Sequence, residues 1–261
     1  MKNLIKITAL LTLAGLLLGC NISTTPTTPL AEQPGPAGTP VSFSNVNLFI
    51  PVGLASNVIA KNSTDTAYPW IYSDESMPKH VVISLTGYAL PDRIGTIIVF
   101  KADEFAAYST VDQKTVTALQ SLSAQAVPPF PEDLLSNFYA QAQGISTANG
   151  HGLRYLHQIM QAFAPITNSE LFYYYLGLTE DGNFFIEALL PVHAAFLVAD
   201  GSNEAVLPQD GIPFPGVPVE TSVWDAYLQA VKDKLDASSP EVFTPALTTL
   251  DALINSIEVT P

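Results

Sequence analysis

Leu171-Phe172-Tyr173-Tyr174-Tyr175-Leu176-Gly177-Leu178, then Thr179-Glu180-Asp181-Gly182-Asn183, then Phe184-Phe185-Ile186-Glu187-Ala188-Leu189-Leu190: the fold turns on this stretch. Its two outer runs are aromatic and aliphatic. The linking segment combines Gly and Asn, residues that tolerate positive φ and close hairpins. Upstream, residues 152–163 alternate, with Leu153, Tyr155, His157, Ile159 and Phe163 on one face. The spacing predicts a three-stranded antiparallel meander over about 152–191. Its middle strand is apolar at both alternating sets, so it is expected to be covered on both faces.

Outward from the meander, short β-branched runs at 46–50, 81–85 and 97–100 are bounded by Gly and Pro and read as strands. Helical spacing appears three times. Val116, Leu119 and Leu122 mark a helix over about 111–125, with Ser109 or Thr110 as cap. Trp224, Tyr227, Leu228, Val231 and Leu235 mark a second over about 222–236. Leu247, Leu250, Ile254 and Ile257 mark a third over about 244–257, with Thr244 as cap and Pro245 in the first turn. Residues 61–79, 126–135 and 199–220 read as loops. Strands followed by helices indicate an α+β fold, an antiparallel sheet covered by helices, in one domain over 42–261. Two smaller domains divided near residue 130 are the alternative. The element order resembles the PsbP-like sandwich, a family of binding and assembly modules.

The chain is 48% hydrophobic and only 13% charged, a balance that favours a buried core over disorder. Its net charge of −14 is ill suited to a phosphate backbone, so nucleic acid is not expected as a partner. The same charge opposes contact between the folded surface and anionic headgroups. With a single cysteine no internal disulfide can form, and the core must carry the fold unaided.

That cysteine closes the amino-terminal segment. Lys2 and Lys6 precede an apolar run ending in Leu17-Leu18-Gly19-Cys20, the pattern of a secretory signal over 1–19. The terminal Leu-Leu-Gly-Cys resembles the lipobox of bacterial lipoproteins. That resemblance implies lipidation at Cys20, cleavage before it and a membrane-anchored extracytoplasmic location. Residues 20–41, rich in Thr and Pro, read as an extended tether able to span up to roughly 60 Å.

Candidate chemistry is sparse. No Gly-x-Ser-x-Gly elbow or Ser-x-x-Lys occurs. None of the four histidines forms an i, i+4 pair on an expected helix. His151 and His157 share a face of their strand but lie about 20 Å apart if extended. No cofactor is indicated. Arg154 and Glu187 are isolated charges within apolar strands. Across one intervening strand they are expected about 10 Å apart on one face, as an ion pair or a ligand-reading pair. Trp70 and Phe214 are the expected exposed aromatics. Asp200, Asn203 and Glu204 are weak oxygen ligands for calcium, with Asp210 near them, and lack the EF-hand ladder. Two classes of function follow. One is a lipid-anchored envelope module binding a protein or small ligand without catalysis. The other is an envelope hydrolase whose site draws on His157, Glu187 and Arg154.

Overall fold

The structure, a computed structural model, describes residues 38–65, 76–123, 126–160, 162–202 and 204–261. The leader, most of the tether, Cys20, Trp70 and Asn203 lie outside them.

Seven strands build one antiparallel sheet. In chain order the elements begin with β1 (Gly38–Phe43), β2 (Val46–Pro51), β3 (Ala55–Ser63), β4 (His80–Tyr88) and β5 (Gly95–Lys101). Two helices follow, α1 (Ala102–Ala106) and α2 (Thr110–Gln120). Then come β6 (Tyr139–Thr147), β7 (Gly150–His157), β8 (Phe172–Thr179), β9 (Phe184–Pro191) and the short β10 (His193–Ala194). The chain finishes with α3 (Thr221–Asp236), β11 (Phe243–Thr244), α4 (Leu247–Asn255) and β12 (Glu258–Val259). The large sheet runs β3-β4-β5-β9-β8-β7-β6, and a small sheet runs β1-β2-β12. The fold is α+β, and the expected meander is β7-β8-β9.

Register divides the side chains between two faces. Tyr175 sits opposite Ala188, Ala188 opposite Ile97 and Ile97 opposite Ile83. These four share one apolar cluster with the small sheet, α3 and α4. On the other face Leu153, Leu176 and Ile98 pack with Phe105 of α1 and with Val116 and Leu119 of α2. The central strands therefore have cover on both sides, which is why β8 reads as a continuous apolar run.

Glycine has a visible purpose twice. Gly182 takes φ of 70° in the turn before β9, a conformation that favours a residue without Cβ. A Cβ on Gly177 would lie 2.0 Å from the Tyr175 hydroxyl, so the glycine makes room for that ring on the same face.

Several expectations need correction. Five strands, and not three, precede the helices, and β6 adds a strand ahead of the meander. β1 begins at Gly38, inside the stretch read as tether. The last helix spans 247–255 and not 244–257, because Thr244 belongs to β11 and pairs with His193. Ala246 occupies the capping position, with no side-chain cap. Ser109 does cap α2, accepting from the Asp112 amide at 3.1 Å. α2 ends at Gln120, five residues earlier than expected.

Candidate functional site

Sheet register decides which of the expected site residues meet. Arg154 pairs with Tyr175, whereas Leu176 pairs with Glu187. Neighbouring residues of a strand point to opposite faces, so Arg154 and Glu187 lie on opposite sides of the sheet. The expected Arg154–Glu187 pair does not exist. His157 and Glu187 do share a face, the one covered by α1 and α2, where both line a cavity of about 250 Å³.

The cavity is built from the sheet upward. Tyr155 and Tyr174 are directly opposed on β7 and β8, and their rings meet edge-on at 5.4 Å between centroids. The His157 ring lies 5.4 Å from Tyr174 and 6.1 Å from Tyr155. Glu187 is only 2% exposed and its Oε1 accepts from the Tyr174 hydroxyl. Tyr155 is equally buried. Burial first, and the Glu187 carboxylate second, hold its hydroxyl above the ordinary phenol range. Asp112, near the start of α2, and Asp133, in the 3₁₀ turn Glu132–Leu134, complete the charged lining.

Ser136 settles the state of the imidazole. Its hydroxyl donates to the Phe138 carbonyl, and His157 Nδ1 lies 2.7 Å from the Ser136 Oγ. With its proton committed to the carbonyl, the serine oxygen can only accept from Nδ1–H. That tautomer leaves Nε2 as a lone-pair acceptor on a residue that lines the cavity. Burial pushes the imidazole down to about 4, against an opposing pull from the Phe138 carbonyl, so the ring is neutral near pH 7. Ser136 is no nucleophile here, because a nucleophilic serine gives its proton to the imidazole.

Arg154 has a different task. Its Nε lies 3.3 Å from Asp251 Oδ1 on α4, and that oxygen also accepts from the Tyr173 hydroxyl at 2.7 Å. Nη2 donates to Gln143 Oε1 at 2.8 Å, and Nη1 donates to the Gln141 carbonyl. Between Ala140 and Gln143, β6 carries one residue more than β7 opposite, a bulge. The guanidinium therefore clamps the bulge to the last helix, with only 3% of its side chain exposed. Asp251 is the partner that sequence reasoning missed.

The remaining candidates are dispersed. Phe214 is half-buried and not an exposed aromatic, with Trp224 at 6.0 Å and Tyr227 at 5.6 Å. Asp200 and Glu204 are exposed, and Asp200 Oδ1 accepts from the Ser202 amide at 2.8 Å, closing a local turn. Among the described residues no group of three or more His, Cys, Asp or Glu is placed to hold a metal ion. Nor does any described helix have the length and apolarity to cross a membrane.

Set against known protein-family models, curated proteins and solved structures, the chain matches none.

Proposed function

We propose that the protein is a lipid-anchored extracytoplasmic module that holds a small ligand in the cavity between the meander and α2. One observation carries the ligand site. His157, Tyr155 and Glu187 come from separate positions on two strands and converge on one cavity, with an unshared imidazole acceptor among them. A core that needed only apolar filling has no use for that arrangement, since each buried polar group costs free energy unless paired. The Cys20 lipobox pattern and the Thr/Pro tether support the anchored location.

Binding is favoured over hydrolysis for two reasons. An imidazole held near 4 is a weak general base at neutral pH, far from the matched value that proton transfer rewards. Arg154, the third member of the hydrolase set, is on the opposite face.

Two measurements test the proposal. Mass spectrometry of the mature amino terminus should find a diacylglyceryl group on Cys20, and an unmodified Cys20 in membrane-bound protein refutes the anchor. For the pocket, NMR of the His157 imidazole and the Tyr155 ring during a small-molecule screen should show saturable shifts, and the Tyr155 shifts should weaken in His157→Phe. Ligands that perturb only distant signals refute the site.

A further inference from the structure

The chemistry of the cavity lining selects the ligand. Three ionisable carboxylates face it, Glu187 at its base with Asp112 and Asp133, and no lysine or arginine lines it among the described residues. Most of the other polar groups present acceptors, and the Tyr155 hydroxyl can donate or accept. His157 presents Nε2, and its Nδ1–H is already spent on Ser136. Tyr174 has given its proton to Glu187. The hydroxyl of Tyr155, on a residue 2% exposed, makes no hydrogen bond to any described residue. The walls are completed by the aromatic rings of Tyr155, Tyr174 and Phe185.

An anion entering this space meets three carboxylates and no cationic side chain among the described residues, with one phenol hydroxyl as donor. A neutral apolar molecule strands the acceptors. A cation carrying N–H donors satisfies both demands, because carboxylates and lone pairs accept its hydrogens and aromatic faces attract its charge. The volume, about 250 Å³, lies just under the usual span of roughly 300–1,000 Å³ for ligand cavities, so the guest is small. A bare metal ion is not served, since no described set of side chains is placed to coordinate one. The net charge of −14 also raises the local concentration of cations at the surface.

We infer that the cavity binds a small organic ammonium, a primary or secondary amine whose charged nitrogen sits against Glu187 and whose carbon body lies against the paired rings of Tyr155 and Tyr174. This inference rests on the reading of the cavity as the ligand site.

The test uses three probes with one skeleton: 2-phenylethylammonium, 2-phenylethanol and phenylacetate. The mature protein is titrated with each while the His157 imidazole and the Tyr155 ring are followed by NMR. The amine should saturate both signals with a dissociation constant at least about tenfold below that of the alcohol, and phenylacetate should leave them unmoved. Glu187→Gln should erase the preference for amine over alcohol. Should that variant fail to fold, exposed Asp133→Asn and conservative Tyr155→Phe should each weaken the amine alone by several-fold. If the alcohol binds as well as the amine, the ammonium inference falls and the cavity remains a ligand site. If none of the three probes moves either signal, even at high millimolar concentration, both readings fall together.

Discussion

At Gln141 the backbone takes φ of 54°, unusual for a residue with a side chain, and the bulge in β6 depends on it. What holds the residue there is the end of α3. Its amide donates to Asp236 Oδ1, and its side-chain nitrogen reaches the carbonyls of Leu235 at 2.7 Å and Ser238 at 2.8 Å. One glutamine thus caps a helix with the same conformation that bends a strand. Gln141→Ala keeps the strained φ and loses the cap, and should cost about 1–3 kcal/mol in denaturant melts. Gln141→Gly loses the cap but relieves the φ, so it should cost less than the alanine variant. His157 yields a pH prediction. Its folded value, about 4, lies below its ordinary 6.5, so the unfolded chain binds the extra proton between those limits. Stability is fully present above about 6.5 and falls as pH drops toward about 4, by about 1–3 kcal/mol for a partly buried ring. Urea melts at pH 7 and pH 5 should show a smaller loss for His157→Phe than for the unaltered protein. Equal losses would show that the imidazole titrates alike in both states.

At the scale of the element, α4 closes one face of the sheet. Leu247, Leu250, Leu253 and Ile254 are buried completely, on a helix too short to persist alone in water. Leu250→Ala should cost about 2–5 kcal/mol, whereas Thr248→Ala, exposed and bonded only to Glu241, should stay within about 0.5 kcal/mol. Chemical denaturation of both variants checks the pair. A silent Leu250→Ala contradicts the packing described above. Elements of this kind are legible in the sequence because a half-buried helix or a doubly covered strand leaves a strong apolar pattern. β3 leaves none. It is a sheet edge reading Ala-Ser-Asn-Val-Ile-Ala-Lys-Asn-Ser, with most positions open to solvent. β6 is hidden differently, by a bulge that breaks the period of two within a run of Ala and Gln. The candidate site divides along the same line. Alternation along β7 places His157 beside Tyr155, so that neighbourhood is readable. Whether Glu187 or Ala188 falls opposite Arg154 depends on register, and a slip of one residue exchanges the faces of a whole strand. Ser136, in a loop with no periodicity, gives no signal until the chain is folded.

At the scale of the molecule, the two sheets are joined by the last residues of the chain. β12 pairs with β2, and the Ile257 carbonyl accepts from the Ala148 amide at 2.9 Å, in the turn between β6 and β7. Asn149, in the same turn, meets Val259 as a strand would. Its side-chain nitrogen donates to the Val259 carbonyl at 2.7 Å, and its side-chain oxygen accepts from the Val259 amide at 3.1 Å. Asn149→Ala should therefore cost about 1–3 kcal/mol, since it orphans both groups of a half-buried strand. Amide hydrogen exchange should locate the loss at Val259 and in β2. Exchange unchanged at both places would show that the carboxyl-terminal strand is held by packing alone.

The β2–β12 pairing also orders events in time. Asn45 bonds to Thr260, 215 residues further along the chain, and Asn47 pairs with Glu258. Contacts of such sequence separation form slowly and only after the intervening chain exists. Until residues 257–260 are in place, the edge of β2 that receives β12 stays open and the two sheets lack their seam. Closure of the domain is therefore a late event in folding, and a variant without residues 258–260 should keep its meander but lose its closure.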